Sequence, residues 1–125
     1  MPTLLLLARA TFFVSLVIVF AGAVAPPGAV HLSLIPWDKA QHFIAFWGLT
    51  GLGLAAFPKR NMYVIGALLS GFGALIEVVQ GLPFVHRDED FFDWVADTLA
   101  IIAAMLPMIL PWWRGYFAAQ KKNEK

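Results

Sequence analysis

The chain contains four apolar stretches, each close to 20 residues in length, separated by short polar breaks. They run roughly over residues 4–25, 41–57, 62–82 and 91–113. A helix of this length crosses a hydrocarbon core of about 30 Å. Backbone groups in lipid must be satisfied within their own segment, and the alternating pattern of β-strands is absent. We therefore predict an all-α, four-helix transmembrane bundle over residues 1–115, followed by a polar tail over residues 116–125.

The composition excludes several classes of protein. Hydrophobic residues make up 60% of the 125 residues, and a soluble domain of this size buries only about 60–70% of its unfolded surface. The absence of cysteine excludes disulfides, thiolate catalysis and cysteine-ligated metal centres. A net charge of +1 is too balanced for a nucleic-acid-binding protein. We therefore expect membrane lipids as partners and no nucleic acid.

Prolines follow the first three apolar stretches and lie inside the fourth. Pro26, Pro58 and Pro83 follow the first three, where a residue without an N–H stops a helix. Pro107 and Pro111 fall inside the fourth stretch and either kink the helix or end it early. Within the first stretch, Arg9 precedes an apolar run that ends in small residues, as in a signal peptide. Because Pro26 is a poor residue to present to a peptidase, we expect an uncleaved anchor.

The distribution of lysine and arginine predicts the orientation. Seven of the nine basic residues can lie on one side of the membrane together: Arg9, Lys59, Arg60, Arg114, Lys121, Lys122 and Lys125. The opposite loops hold only Lys39 and Arg87. The positive-inside rule therefore predicts cytoplasmic N- and C-termini. The loops near residues 28–37 and 83–90 are expected on the outer side.

Most of the remaining ionisable groups fall at that outer side. The candidate residues come from three segments: Asp38, Lys39 and His42; Glu77 and Gln80; and Arg87, Asp93 and Asp97. Within a helix, residues three or four apart share a face, so each segment directs its polar pair to one place. A carboxylate facing lipid costs at least about 2.5–3.5 kcal/mol, so Glu77 and Asp97 are expected to turn inward, toward Arg87, Lys39 or His42.

In order along the chain, these motifs resemble the VanZ-like family of small polytopic membrane proteins. The resemblance rests on the Asp38–Phe43 segment, Glu77-x-x-Gln80, Pro83, Arg87 and Asp93-x-x-x-Asp97, and it covers about half of the chain. Asp97 departs from the asparagine expected in the family. The resemblance implies an envelope-associated membrane protein. It does not imply a reaction, because the founding member is linked to teicoplanin resistance by no established mechanism.

Three functions compete at this site. An enzyme acting on a lipid or lipid-linked envelope precursor uses Glu77 or Asp93 as general base and His42 as acid, while Lys39 and Arg87 clamp an anionic headgroup. A binding protein uses the same cations without chemistry and includes further polar contacts from Gln80, Asp38 and Asp97. The third candidate is a structural subunit or a proton-linked carrier, and transport requires a homo-oligomer because four short helices enclose little volume.

The charged residues allow two further interpretations, a structural ion-pair network and a metal site. In a purely structural network, Arg87 bridges Glu77 and Asp93 while Asp38 caps its helix. We expect no cofactor, since the chain has no glycine-rich nucleotide loop. The metal alternative places a divalent ion of magnesium, manganese, calcium or zinc among His42, Glu77, Asp93 and Asp97, without the support of an HExxH motif.

Overall fold

A computed structural model describes residues 2–25, 38–85 and 90–124. They form four α-helices: α1 (Pro2–Val24), α2 (Asp38–Ala56), α3 (Met62–Gln80) and α4 (Phe91–Asn123). The described residues contain no strand, so the all-α prediction is confirmed. The fourth helix continues through Pro107 and Pro111 and beyond residue 115, so most of the polar tail is also helical.

Local sequence sets several of the helix ends. The Asn61 side chain accepts a hydrogen bond from the Tyr63 amide at the start of α3. Asp90 does the same for the Phe92 amide at the start of α4. Such caps satisfy backbone N–H groups that have no partner in the first turn of a helix. At the other ends, α2 and α3 stop shortly before Pro58 and Pro83, as the sequence predicts.

The outer surfaces of the helices are apolar. Three helices, α1, α3 and α4, are long and apolar enough to cross a membrane. The second helix falls short by this measure, because its first turn carries the polar residues Asp38, Lys39, Gln41 and His42. Large apolar side chains such as Val17 and Leu68 are about 70% exposed, which is typical of surfaces that contact lipid rather than water.

The second helix lies at the centre of the packing, in contact with each of the other three helices. Phe46 and Leu49 of α2 and Ile76 of α3 are almost fully buried in the core. The first helix buries only Phe12, whose ring lies against Gly53 of α2. A Cβ at Gly53 would approach this ring to 3.1 Å, so glycine sets how closely α1 and α2 pack.

Two hydrogen bonds show which helix ends lie together. Arg9 Nε donates to the Ala56 carbonyl at 3.1 Å, which places the start of α1 beside the end of α2. Gln80 Nε2 donates to the Ala23 carbonyl at 2.9 Å, which places the end of α3 beside the end of α1. The starts of α2 and α4 lie at this second end as well, and we call it the polar end of the bundle.

Candidate functional site

Six side chains from α2, α3 and the start of α4 meet at the polar end. We call them the polar cluster: Lys39, His42, Glu77, Asp90, Asp93 and Asp97. Asp97 is fully buried, and Glu77 and Asp93 are exposed by 9% and 5%. Carboxylates at this depth are rare, and where they occur they mark functional sites or ion-pair networks.

His42 lies between two carboxylates of α4. Its Nδ1 is 3.0 Å from Asp97 Oδ1, and its Nε2 is 3.8 Å from Asp93 Oδ2. Asp93 and Asp97 are separated by one helical turn, so both side chains face α2. The imidazole is therefore fixed in orientation, with each ring nitrogen directed at a different acid.

Lys39 joins the start of α2 to the start of α4. Its Nζ lies 2.9 Å from Asp90 Oδ2 and 3.4 Å from Asp93 Oδ1. The hydrogen bond from the Lys39 ammonium, together with that from the Phe92 amide, holds the pKa of the Asp90 carboxyl below its ordinary value. Asp90 thus has two roles, as the N-cap of α4 and as an ionised partner of Lys39.

Glu77 connects α3 to the same cluster. Its Oε2 accepts a hydrogen bond of 2.9 Å from the Asp90 amide. Within the described residues, its Oε1 is buried and has no hydrogen-bond partner. The Gln80 amide, one turn further along α3, is donated to α1 rather than to the cluster.

Asp97 fits against the backbone of α3 at Gly73. A Cβ at this glycine would lie 2.9 Å from Asp97 Oδ2 and 3.4 Å from both Asp97 Cβ and a ring carbon of Phe46. Real Cβ atoms do not approach a neighbour at 2.9 Å, so the Asp97 carboxylate occupies the space that a larger residue at position 73 would take. Gly73 therefore determines the depth at which Asp97 sits.

Three of these side chains have the composition of a metal site. His42, Glu77 and Asp97 each offer one ligand atom, and the three atoms lie within 4.8 Å of one another. They come from three different helices, α2, α3 and α4. The arrangement can hold a cation, accept protons or lock the three helices together.

An apolar groove begins at Lys39 and runs between α2 and α4. Its volume is about 540 Å³. It is lined by Lys39, Ala40, Phe43, Ile44, Phe92, Val95, Ala96 and Leu99. Lys39 is the one charged residue in this lining, and it also belongs to the polar cluster. The groove and the cluster therefore share a residue at the polar end.

The structure unites most of the residues that the sequence singled out. It brings together Lys39, His42, Glu77, Asp93 and Asp97, whereas Gln80 contacts α1. Arg87 and the side chain of Asp38 lie outside the described residues.

Sequence reasoning missed two residues of the site, Asp90 and Gly73. Asp90 falls in the outer loop near residues 83–90 that the sequence predicts, although an aspartate immediately before an apolar helix is a typical N-cap. The sequence carries no signal that places Gly73 opposite Asp97.

Comparison with known proteins yields no match to a family model, a curated protein or a solved structure. The resemblance to VanZ-like proteins therefore stays a prediction from the sequence motifs.

Proposed function

We propose that this chain is a VanZ-like protein of the bacterial inner membrane that binds a cell-envelope lipid or lipid-linked precursor at its polar end. In this proposal both termini lie in the cytoplasm and the polar cluster lies at the outer face. The observation that carries the proposal is the apolar groove that begins at Lys39. One continuous surface thus offers a path for an acyl chain and a cation for its headgroup.

The groove suits an acyl chain because its lining is almost entirely apolar. Phe43 and Ile44 of α2 lie on one side, and Phe92, Val95 and Leu99 of α4 lie on the other. Phe43, Ile44 and Leu99 are 37–55% exposed, so the groove opens to the exterior of the bundle. A lipid chain in this position replaces the bulk lipid that would otherwise cover the same surface.

Lys39 suits the phosphate of the headgroup. Its side chain is 33% exposed and lines the groove, and its ammonium lies beside Asp90 and Asp93. An ammonium fixed near the membrane surface attracts a phosphate oxygen and donates a charge-assisted hydrogen bond to it. The two acids therefore position the cation, and the cation selects a phosphate-bearing lipid.

The test is thermal stability of the purified protein in detergent, with and without an extract of envelope lipids. We expect the lipid extract to raise the melting temperature of the wild type. Lys39→Gln removes the cation, and Ala96→Phe fills the groove, so both variants should lose this increase. Ala67→Phe is the matched control, because Ala67 lies on the exposed surface of α3, away from the groove. An equal increase in all four proteins would refute the proposal.

A second candidate is a purely structural role for the polar cluster. It is favoured by the contacts of His42 and Lys39 with acids of α4, which fasten two helices together. Removing one partner of a buried ion pair costs about 3–5 kcal/mol. If Asp93→Asn loses stability on that scale while lipids change no melting temperature, the cluster only holds the fold.

A further inference from the structure

We propose that His42, Glu77 and Asp97 bind one divalent transition-metal ion in the polar cluster. The ion coordinates an imidazole nitrogen and two carboxylate oxygens, one from each of α2, α3 and α4. This assignment goes beyond lipid binding and does not depend on it.

The distances between the ligand atoms are close to those of a metal centre. Metal–ligand bonds of about 2.0–2.2 Å place the ligand atoms of a tetrahedral site about 3.4 Å apart. His42 Nδ1 and Asp97 Oδ1 are already 3.0 Å apart. The full set lies within 4.8 Å, so side-chain shifts of about 1 Å complete the geometry.

Glu77 supplies an independent indication of a ligand. Its side chain is 9% exposed, and its Oε2 is already engaged by the Asp90 amide. Its Oε1 is buried without a hydrogen-bond partner among residues 2–25, 38–85 and 90–124. A buried carboxylate oxygen without a partner is costly, and a metal ion at this position would satisfy it.

The orientation of His42 fits a metal ligand with a supporting acid. Metal coordination at Nδ1 displaces any proton from that nitrogen and leaves Nε2–H as a donor. Asp93 Oδ2 lies 3.8 Å from Nε2, on the side away from Asp97. Histidine ligands usually donate their second N–H to a carboxylate, which fixes the ring and raises its basicity. Asp93 is therefore a positioning residue for His42 rather than a ligand.

The charge of the cluster also favours a cation. Within the described part of the chain it contains four carboxylates, one lysine and one histidine. With His42 neutral, as metal coordination requires, and all four acids ionised, negative charges exceed positive ones by three. Excess charge is costly in an apolar environment, and a divalent ion reduces the excess to one where three of the acids converge.

The donor set selects the class of metal. Imidazole suits zinc and other first-row transition metals, whereas magnesium and calcium prefer sites built entirely from oxygen. We therefore expect Zn²⁺ or Mn²⁺ to bind in preference to Mg²⁺ or Ca²⁺. Three protein ligands leave a coordination position open, as in catalytic zinc sites. If the proposed lipid function holds, a phosphate oxygen of the headgroup fills that position.

Metal binding is tested on the full chain in lipid-free detergent after treatment with a chelator. Equilibrium dialysis against Zn²⁺, Mn²⁺, Mg²⁺ and Ca²⁺ should show one tightly bound Zn²⁺ or Mn²⁺ per chain. Glu77→Gln and Asp97→Asn should weaken binding more than 100-fold, and Asp93→Asn about 10–100-fold. Glu124→Gln is the matched control, because it removes a carboxylate at the far end of α4 and should leave the affinity unchanged.

A spectroscopic measurement on the wild type tests the metal ligands even if some variants fail to fold. Electron spin-echo measurements on the Mn²⁺-loaded protein should detect coupling to one imidazole nitrogen, and His42→Gln should abolish it. Absence of a stoichiometric ion, absence of this coupling in protein shown by dialysis to hold Mn²⁺, or unchanged affinity in folded Glu77→Gln would overturn the assignment. Equal affinity for Ca²⁺ or Mg²⁺ would also overturn it. The lipid proposal fails separately, when lipids stabilise wild type and Lys39→Gln equally.

Discussion

Gly73 illustrates how a single missing methyl group shapes the site. The Asp97 carboxylate lies against the Cα of this glycine, on the α3 surface that faces α4. Asp97 is fully buried and holds His42 through a 3.0 Å contact. Any side chain at position 73 therefore moves the acid and, through it, the imidazole.

We predict that Gly73→Ala destabilises the protein by about 1–3 kcal/mol, the usual cost of forcing extra volume into a packed interior. Gly71→Ala is the matched control, because a Cβ there meets nothing within 4 Å. By helix propensity alone, the control should be neutral or stabilising by up to about 1 kcal/mol. Thermal unfolding in detergent distinguishes the two variants. If both behave alike, Asp97 does not depend on the space at Gly73.

At the residue scale, the sequence predicts which residues belong to the site better than it predicts which of them contact each other. Spacings of three and four residues place His42, Glu77, Asp93 and Asp97 on inward faces because helical periodicity is local. The partner of each acid depends on how α2, α3 and α4 are rotated and shifted against each other. That register comes from packing at residues such as Gly73, which have no signature in the sequence. The contact between Lys39 and Asp90 is therefore visible only in the folded chain.

At the scale of the helices, the contact between α1 and α2 depends partly on Arg9. Its Nε donates to the Ala56 carbonyl, and its guanidinium lies 5.3 Å from the centre of the Phe57 ring. A cation beside the last carbonyls of a helix satisfies groups that have no partner within it and interacts favourably with the helix dipole. This contact adds to the apolar packing of α1, in which Phe12 is buried and Leu16, Val19 and Phe20 are partly buried against the core.

We predict that Arg9→Leu lowers stability by about 1–2 kcal/mol, through loss of the charged hydrogen bond and the dipole interaction. Arg60→Leu removes the same charge from an exposed position in the turn between α2 and α3, and serves as control. Chemical or thermal unfolding in detergent measures both. Equal losses of stability would show that the positive charge acts only through long-range electrostatics and not through the contact of Arg9 with the end of α2.

The bounds of the helices are largely predictable from the sequence, and the two prolines that do not end α4 have a physical explanation. Apolar length and the prolines after α2 and α3 predict where those helices end, because these signals are local. Pro107 and Pro111 carry the same local signal but lie inside α4. In an apolar environment the neighbouring backbone gains no better partners by leaving the helix, so prolines are tolerated there. The sequence alone does not show whether a given proline ends the helix or is accommodated within it.

At the scale of the whole molecule, orientation can be tested because the chain has no cysteine. Single cysteines introduced at exposed Phe84 and at exposed Lys59 lie at opposite ends of the bundle. The positive-inside rule predicts that a membrane-impermeant maleimide labels Phe84→Cys in intact cells. It should label Lys59→Cys only after the cells are permeabilised. The reverse pattern would place the polar cluster at the cytoplasmic face.

The distribution of the polar cluster over three helices has a consequence for biosynthesis. His42 and Glu77 are synthesised before α4, and the acids that contact His42 arrive only with this last helix. In the proposed membrane arrangement, the nascent chain until then exposes polar groups in hydrocarbon, where they are costly. Formation of the cluster therefore marks the completion of assembly. A chain halted before α4 presents an exposed polar surface, and quality-control proteases can use such a surface to distinguish unfinished membrane proteins from finished ones.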